Sequence, residues 1–228
     1  MTADPTHRHL AQLMAGVTRD VLWQRSGWAS EGGRLHCRAG RGRATWHRFN
    51  PARARHEIVF GALMVADKTC PQASAHWLSS REIRHRGYWG GTVSMLNLLA
   101  HTCCHEFAHL LQTRAGERQY GRVHTPAFYR LLDGLHETGQ ADVVRNELKD
   151  KAFRQGLPLA DMPYDQSAPA KPERFRPGDR VRFGHAPAMK EGRVQRVNRK
   201  TCTVEGLGAD RGRRYRVPPQ LMVAVETA

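Results

Sequence analysis

Two histidines and a glutamate stand close together in the sequence HEFAH, residues 105–109. On a helix, His105 and His109 lie on adjacent turns of one face, about 40° apart, where two imidazoles can bind one Zn²⁺ ion. Glu106 follows the first histidine, so its carboxylate can take a proton from water beside the metal and pass it to a leaving amine. The segment predicts a zinc-dependent hydrolase, with peptide-bond hydrolysis as the favoured reaction.

A catalytic zinc site usually has a third protein ligand and one open position. His124 is the candidate, because the Thr-Pro pair that follows it predicts a helix start that would fix its approach. Glu117 is one alternative, since some zinc enzymes use two histidines and one glutamate. His101 is another, one helical turn before His105, although from there it would point past the metal. His136 is expected on a solvated face.

A pattern of five residues also occurs by chance, on a helix that binds no metal. The composition of the helix argues against that alternative, because burying histidine and glutamate in an apolar helix costs free energy unless these residues have a function. Neither proline nor glycine interrupts residues 105–109, and a third histidine follows at a workable distance. We therefore predict a catalytic metal site with one zinc ion.

The helix that must hold the motif is predicted over residues 92–114, where apolar residues cover a broad surface and indicate a largely buried helix. Further helices are predicted at 6–26, 125–135 and 141–155, with a short helix or turn at 79–86. Short strands and turns fit the Gly- and Arg-rich residues 30–56, and residues 56–66 have the composition of a buried strand. This mixture predicts an α+β metalloprotease-like domain over residues 1–156.

The chain changes character after this domain. Prolines recur over residues 157–173, which predicts an extended linker. Short β-like runs separated by turn residues then follow in 174–228, which predicts a small all-β SH3-like barrel. Its basic residues are dense enough to follow a phosphate backbone without reading sequence. The candidates for nucleic-acid contact are Arg180, Arg182, Arg193, Arg196, Arg199, Lys200, Arg213, Arg214 and Arg216.

The whole chain of 228 residues carries a formal net charge of +15. A field of this size attracts polyanions, of which nucleic acid is the usual one. The five cysteines form no C-x-x-C pair, so reduced thiols are expected rather than a disulfide framework. No long apolar run and no secretory signal is recognisable, which predicts a cytoplasmic protein, associated with the nucleoid if it binds DNA, and no membrane contact.

With the three histidines and Glu106 in place, the chain resembles the SprT-like metalloprotease family, which includes Spartan and its bacterial relatives. That family carries H-E-x-x-H, a loop, and a third histidine in a His-Gly-x-x-Phe-like segment. Here residues 123–128 are VHTPAF, with Thr125 where glycine is usual. The similarity covers about residues 5–155, and its specific part is 105–128.

The resemblance implies zinc ligands His105, His109 and His124, with Glu106 as the catalytic acid and base. It also implies a zincin-like fold. Spartan-type members degrade proteins crosslinked to DNA and are activated by DNA, so the resemblance implies a role in DNA repair. Classical bacterial members end in a cysteine zinc ribbon, which this chain lacks. The SH3-like or KOW-like barrel is predicted in its place.

Three hypotheses follow. The first is a zinc endopeptidase recruited to DNA-bound or DNA-crosslinked proteins. The second is a zinc peptidase whose C-terminal barrel binds protein substrates, and the third is a nucleic-acid-binding protein with a non-catalytic metal. If the protein is a peptidase, a hydrogen-bond donor must stabilise the tetrahedral oxyanion. The sequence does not choose among Tyr120, Arg122 and Tyr129 for that donor, and a packing or loop role is the favoured alternative for each.

Overall fold

The computed structural model describes residues 4–28, 33–119, 121–164, 174–184, 189–199 and 201–225. Contacts divide the chain into two compact units, Met1–Thr69 with Leu78–Tyr164 and Cys70–Trp77 with Asp165–Ala228. The chain is α+β, as predicted. Within the described ranges, no helix has the length and apolar character that crossing a membrane requires.

Among the described residues, the first unit combines six α-helices with a mixed three-stranded sheet. Its sheet has the order β1-β3-β2, in which β1 runs parallel and β2 antiparallel to the central strand. The strands are β1 (Arg34–Gly40), β2 (Trp46–Asn50) and β3 (Arg55–Gly61). The helices are α1 (Pro5–Val17), α2 (Ala62–Lys68), α4 (Leu78–Arg86), α5 (Met95–Arg114), α6 (Pro126–Glu137) and α7 (Gln140–Arg154), while α3 (Pro71–Ser74) belongs to the second unit.

Helix α5 is the centre of the first unit. Its start is fixed by Ser94, whose hydroxyl accepts a hydrogen bond from the Asn97 backbone N–H at 3.1 Å. Helices α1, α4, α6 and α7 pack against it, as does strand β2. Cys103 and Cys104 are fully buried within it. The predicted buried helix is thereby confirmed, and it gives the motif a rigid support.

The predicted strand over residues 56–66 is only half correct, because β3 ends at Gly61 and α2 follows at once. An apolar run does not distinguish a buried strand from a buried helix. The change occurs at Gly61, where a Cβ atom would come within 2.3 Å of the Gly42 carbonyl oxygen. Only glycine allows the two backbones to approach this closely.

Part of the segment assigned to the linker is hydrogen-bonded to the first unit. The Leu96 N–H donates to the Ala160 carbonyl at 3.1 Å, and the Tyr164 N–H donates to the Val93 carbonyl at 2.8 Å. Residues 157–164 therefore cover the start of α5. Residues 165–173, the rest of the predicted linker, lie outside the described residues.

The second unit is an antiparallel sheet with the order β7-β6-β5-β4-β8. Buried and exposed residues alternate along its strands, as expected for a sheet with one covered face. The strands are β4 (Arg180–Phe183), β5 (Lys190–Val197), β6 (Cys202–Gly206), β7 (Arg214–Val217) and β8 (Met222–Ala224). Among the described residues the end strands β7 and β8 do not pair, so the sheet is not closed into a barrel.

Candidate metal centre

Three imidazoles converge at one place in the first unit. His105 and His109 lie on α5, and His124 lies in the turn before α6. The Nε2 atoms of His105 and His124 are 3.1 Å apart, and the ligand atoms of all three residues lie within 4.8 Å of one another. Two nitrogens bound to one tetrahedral zinc at ordinary bond lengths would be about 3.3 Å apart. The spacing therefore suits a single ion of this size.

The position of His124 follows from the capping of α6. The Thr125 hydroxyl accepts a hydrogen bond from the Phe128 N–H at 3.3 Å, so it caps the helix. The same hydroxyl accepts a bond from the Gln112 side-chain amide at 3.1 Å, which ties the turn to α5. The Thr-Pro pair thus fixes the third histidine, as the sequence predicted.

Phe128 packs against all three imidazoles. Its ring is stacked on His109 at 4.4 Å between centroids, and it meets His105 edge-on at 4.9 Å and His124 edge-on at 5.0 Å. The ring is fully buried. A rigid aromatic surface behind the ligands limits their rotation, which helps to preserve the spacing between their nitrogens.

Glu82 is a site residue that sequence reasoning missed. One of its carboxylate oxygens accepts hydrogen bonds from His105 Nδ1 at 3.0 Å and from His101 Nε2 at 2.9 Å. Because a carboxylate only accepts, His105 carries its proton on Nδ1 and leaves the Nε2 lone pair directed toward His124. Burial would raise the pKa of Glu82, but these two hydrogen bonds hold it well below its ordinary value.

The only sequence signal for Glu82 is that it is the sole acid in its helix, Leu78–Arg86. It stands 23 residues before the first ligand. Nothing in the local pattern connects it with the motif, and only the packing of α4 on α5 does so.

The alternative third ligands have other partners. Besides its bond to Glu82, His101 contacts His136 with 3.2 Å between Nδ1 and Nε2. His136 is stacked on Tyr88 at 3.6 Å, so the prediction that it lies on a solvated face is wrong. Helix α4 and the turn after it cover that side of α6. Burial lowers the pKa of His101 to about 4 and that of His136 to about 3, so both are neutral near pH 7.

Glu117 does not join the converging atoms found among the described residues. Its carboxylate instead accepts a hydrogen bond from Arg130 at 2.8 Å. Glu82, His101 and His105 are also close enough to one another to hold a cation. Their mutual hydrogen bonds already account for that closeness, so we assign them an orienting role.

Glu106 is buried beside the three histidines. Its Oε2 atom has no hydrogen-bond partner among the described residues, and neither has the buried Nδ1 atom of His109. Burial raises the pKa of Glu106 above its ordinary value, while the charges of His105, Lys68 and Arg118 act in the opposite direction. Buried polar atoms without partners are rare, and at a candidate site they indicate a missing ligand or a catalytic role.

A buried cation lies near this carboxylate. Lys68, at the end of α2, donates to the hydroxyl of Thr102, which is one helical turn before Glu106 on α5. Its burial lowers the pKa of the ammonium to about 8, and the negative charge of Glu106 is the largest opposing effect. The lysine thus provides a countercharge for this buried carboxylate.

An open cleft of about 610 Å³ begins at His124. Of the three candidates for stabilising the oxyanion, Tyr129 is the one that lines this cleft within the described residues. The Arg86 guanidinium lies over the Tyr129 ring, 4.5 Å from its centroid. Arg122 is exposed, and Tyr120 lies outside the described residues. The lining residues are Arg86, His124, Pro126, Tyr129, Arg130, Asp133 and Glu137.

The arginines predicted to contact nucleic acid are exposed on the second unit. Arg180 and Arg193 are directly opposite each other on β4 and β5, an unfavourable arrangement for like charges. Arg180 pairs with Glu191 at 2.9 Å and Arg213 with Asp210 at 3.3 Å. In the described part of the chain no ion pair is formed by Arg182, Arg193, Arg196, Arg199, Arg214 or Arg216, and Lys200 lies outside it.

Comparison with known proteins finds no matching family model, no matching curated protein and no matching solved structure.

Proposed function

We propose that the protein is a zinc-dependent endopeptidase of the SprT-like type. The observation that carries this proposal is the convergence of three imidazoles beside a buried carboxylate whose Oε2 atom has no protein partner in the described chain. A structural metal site needs converging ligands but does not need a buried carboxylate without a partner beside them. We infer further that the first unit has a zincin-like fold and that the second is SH3-like.

The residues have distinct roles in this proposal. His105, His109 and His124 would hold one zinc ion, which when bound supplies Lewis acidity and makes water nucleophilic near neutral pH. Glu106 takes the proton from the attacking water and delivers it to the amine nitrogen as the peptide bond breaks. Glu82 holds His105 in the tautomer with a free Nε2. A peptide chain would enter along the cleft beside His124.

The decisive experiment combines metal analysis of the purified protein with casein cleavage by wild type and by Glu106→Gln. One equivalent of zinc together with cleavage that depends on Glu106 would support the proposal. Bound metal without any cleavage would favour a non-catalytic metal protein that binds nucleic acid.

The role of Glu82 gives a separate prediction. We expect Glu82→Gln to weaken zinc binding about 10–100-fold, because loss of an orienting partner of a metal-bound histidine has effects of that size. The affinity is measured by competition with a chromogenic chelator. Glu147→Gln, which neutralises a carboxylate on α7, is the matched control. Equal affinities for the two variants would contradict the assigned role.

We further propose that the second unit binds DNA without sequence preference and brings the peptidase to DNA-bound or DNA-crosslinked proteins. Supporting this are its exposed arginines that lack ion pairs within the described residues, and the charge of +15 on the whole chain. A second candidate for this unit is a module that binds protein substrates. The arginines favour DNA, since guanidinium groups suit phosphate.

We expect a triple variant to bind DNA more weakly and with a smaller salt dependence than wild type. Its substitutions are Arg182→Gln, Arg193→Gln and Arg214→Gln. Each lost phosphate contact makes the slope of log K against log salt less negative by roughly 0.9. Fluorescence anisotropy with short oligonucleotides of two sequences, in single- and double-stranded form, measures both quantities.

The control removes the same charge from exposed arginines of the first unit, Arg8, Arg25 and Arg154. We expect it to keep most of the affinity. A control that loses as much as the test variant would indicate a general charge effect. No binding by wild type at low salt would favour the protein-binding alternative.

A further inference from the structure

Arg118 lies in the loop after α5 and is half-buried. Its Nη1 atom is 2.5 Å from Nδ1 of His47, and its Nη2 atom donates to the His47 backbone carbonyl at 3.3 Å. Nη1 also donates to the Thr113 hydroxyl at 3.4 Å. The guanidinium is therefore held by strand β2 on one side and by the end of α5 on the other.

The partners of Arg118 do not neutralise its charge. A guanidinium only donates, so His47 must accept at Nδ1 and carry its proton on Nε2. That Nε2 lies 2.9 Å from Nδ1 of His56, which must then be the acceptor. Burial lowers the pKa of His47 to about 3 and that of His56 to about 4, so both imidazoles are neutral.

Within the described residues, Arg118 forms no ion pair with a carboxylate. Other arginines around the same sheet differ in this respect, since Arg38 pairs with Glu57 and Arg43 pairs with Asp67, each at 3.0 Å. A half-buried cation without an ion pair is costly. The fold nevertheless fixes this one in place with several hydrogen bonds.

The position of the guanidinium relates it to the candidate metal centre. Thr113, which accepts from Arg118, donates to the His109 backbone carbonyl at 2.9 Å, one helical turn away. Burial has the largest effect on the pKa values of Glu106, His109 and His124, and the charge of Arg118 acts to lower all three, which agrees with this proximity. One N–H of Nη2 and the Nε N–H are not used by any of the bonds described above.

We propose that Arg118 is a catalytic residue that donates to the oxyanion formed during peptide hydrolysis, an inference that rests on the proposed function. As the water oxygen bonds to the carbonyl carbon, the electron pair of the C=O double bond moves to the carbonyl oxygen. Arg118 stabilises that negative charge. When the C–N bond breaks, the pair returns to re-form the carbonyl, and the nitrogen receives the proton that Glu106 carries.

Arg118 is not among the oxyanion donors that the sequence suggests. Arg118 is anchored with N–H groups to spare, whereas Arg122 is exposed and the Tyr129 ring is covered by Arg86. Donors that are fixed before the reaction stabilise a developing charge most strongly, because they do not have to reorganise. Its anchors, the neutral His47 and the hydroxyl of Thr113, form no ion pair with Arg118.

The test measures kcat and KM separately for Arg118→Ala and Arg118→Lys on peptides capped at both ends. We expect kcat to fall about 10²–10³-fold for Arg118→Ala, as for loss of one oxyanion donor, with KM little changed. Millimolar guanidinium chloride should restore part of the kcat of Arg118→Ala. Arg53→Ala, which removes an exposed charge just after β2, is the matched control and should resemble wild type.

A second readout does not depend on turnover. A capped phosphinic peptide mimics the tetrahedral oxyanion, and calorimetry with the zinc-loaded protein gives its Kd. We expect Arg118→Lys to bind this compound roughly 10²-fold more weakly than wild type does, in proportion to the loss of transition-state stabilisation. Zinc content and Tm establish that each variant is folded. If Arg118→Ala is not folded, the test is made with Arg118→Lys alone.

Wild-type kcat in a folded Arg118 variant would overturn the assignment. So would a rise in KM alone that appears when the same variants are assayed on peptides with a free C-terminal carboxylate and is absent on the capped peptides, because it would make Arg118 a carboxylate-binding residue. Either result would leave the proposed peptidase function unaffected. The proposed function fails separately, when wild type does not cleave or when Glu106→Gln cleaves equally well.

Discussion

The Glu106→Gln variant is expected to hydrolyse peptides roughly 10²–10⁴-fold more slowly than wild type, the range typical for loss of a general base. Glutamine has nearly the same shape, but its amide cannot take a proton from water. The Oε2 atom of Glu106 is buried without a hydrogen-bond partner in the described chain, so the substitution breaks no hydrogen bond at that atom. The variant should therefore keep its fold and its metal.

The measurement is kcat on casein or a fluorogenic peptide, with zinc content and Tm determined on the same samples. Glu147→Gln controls for the general loss of one negative charge. Equal activity in wild type and Glu106→Gln, each purified by the same route, would mean that another group is the base or that the activity belongs to a contaminant.

Removal of His124 is expected to abolish stable zinc binding and hydrolysis together. The loss of zinc affinity in His124→Ala should exceed the 10–100-fold expected for Glu82→Gln, because a ligand itself is removed rather than its orienting partner. His124 is exposed, whereas His109 is buried against Phe128. The His124 variant therefore tests the metal without leaving a cavity in the core.

A chelator offers an independent check on the same site. A ligand that binds only the folded state raises its stability, so removing zinc should lower the Tm of wild type and leave that of His124→Ala unchanged. His85→Ala, in which an exposed histidine of α4 is removed, should behave as wild type does. A wild-type Tm that does not respond to chelation would contradict a metal bound at these histidines.

The two predictions fail in different ways, which makes them informative together. Loss of zinc without loss of cleavage would separate the metal from the chemistry. Loss of cleavage in Glu106→Gln with zinc retained would separate the base from the ligands. The proposed function requires both results, because it assigns the three imidazoles to the metal and Glu106 to the proton transfer.

The sequence by itself determined those parts of the protein that depend on local spacing. The four-residue step from His105 to His109 puts both on one face of a helix, since helical geometry repeats every 3.6 residues. The Thr-Pro pair after His124 specified the helix start that positions this residue. The apolar residues around the motif indicated a buried helix, and α5 is one.

Tertiary structure alone decided which distant residues complete the site. Glu82 reaches His105 from a different helix, and Arg118 contacts His47 although 71 residues separate them. Such pairs are set by how helices and strands pack, and no periodicity in the chain encodes them. For the same reason the sequence did not distinguish a half-buried His136 stacked on Tyr88 from a solvated one, or separate β3 from α2 within one apolar run.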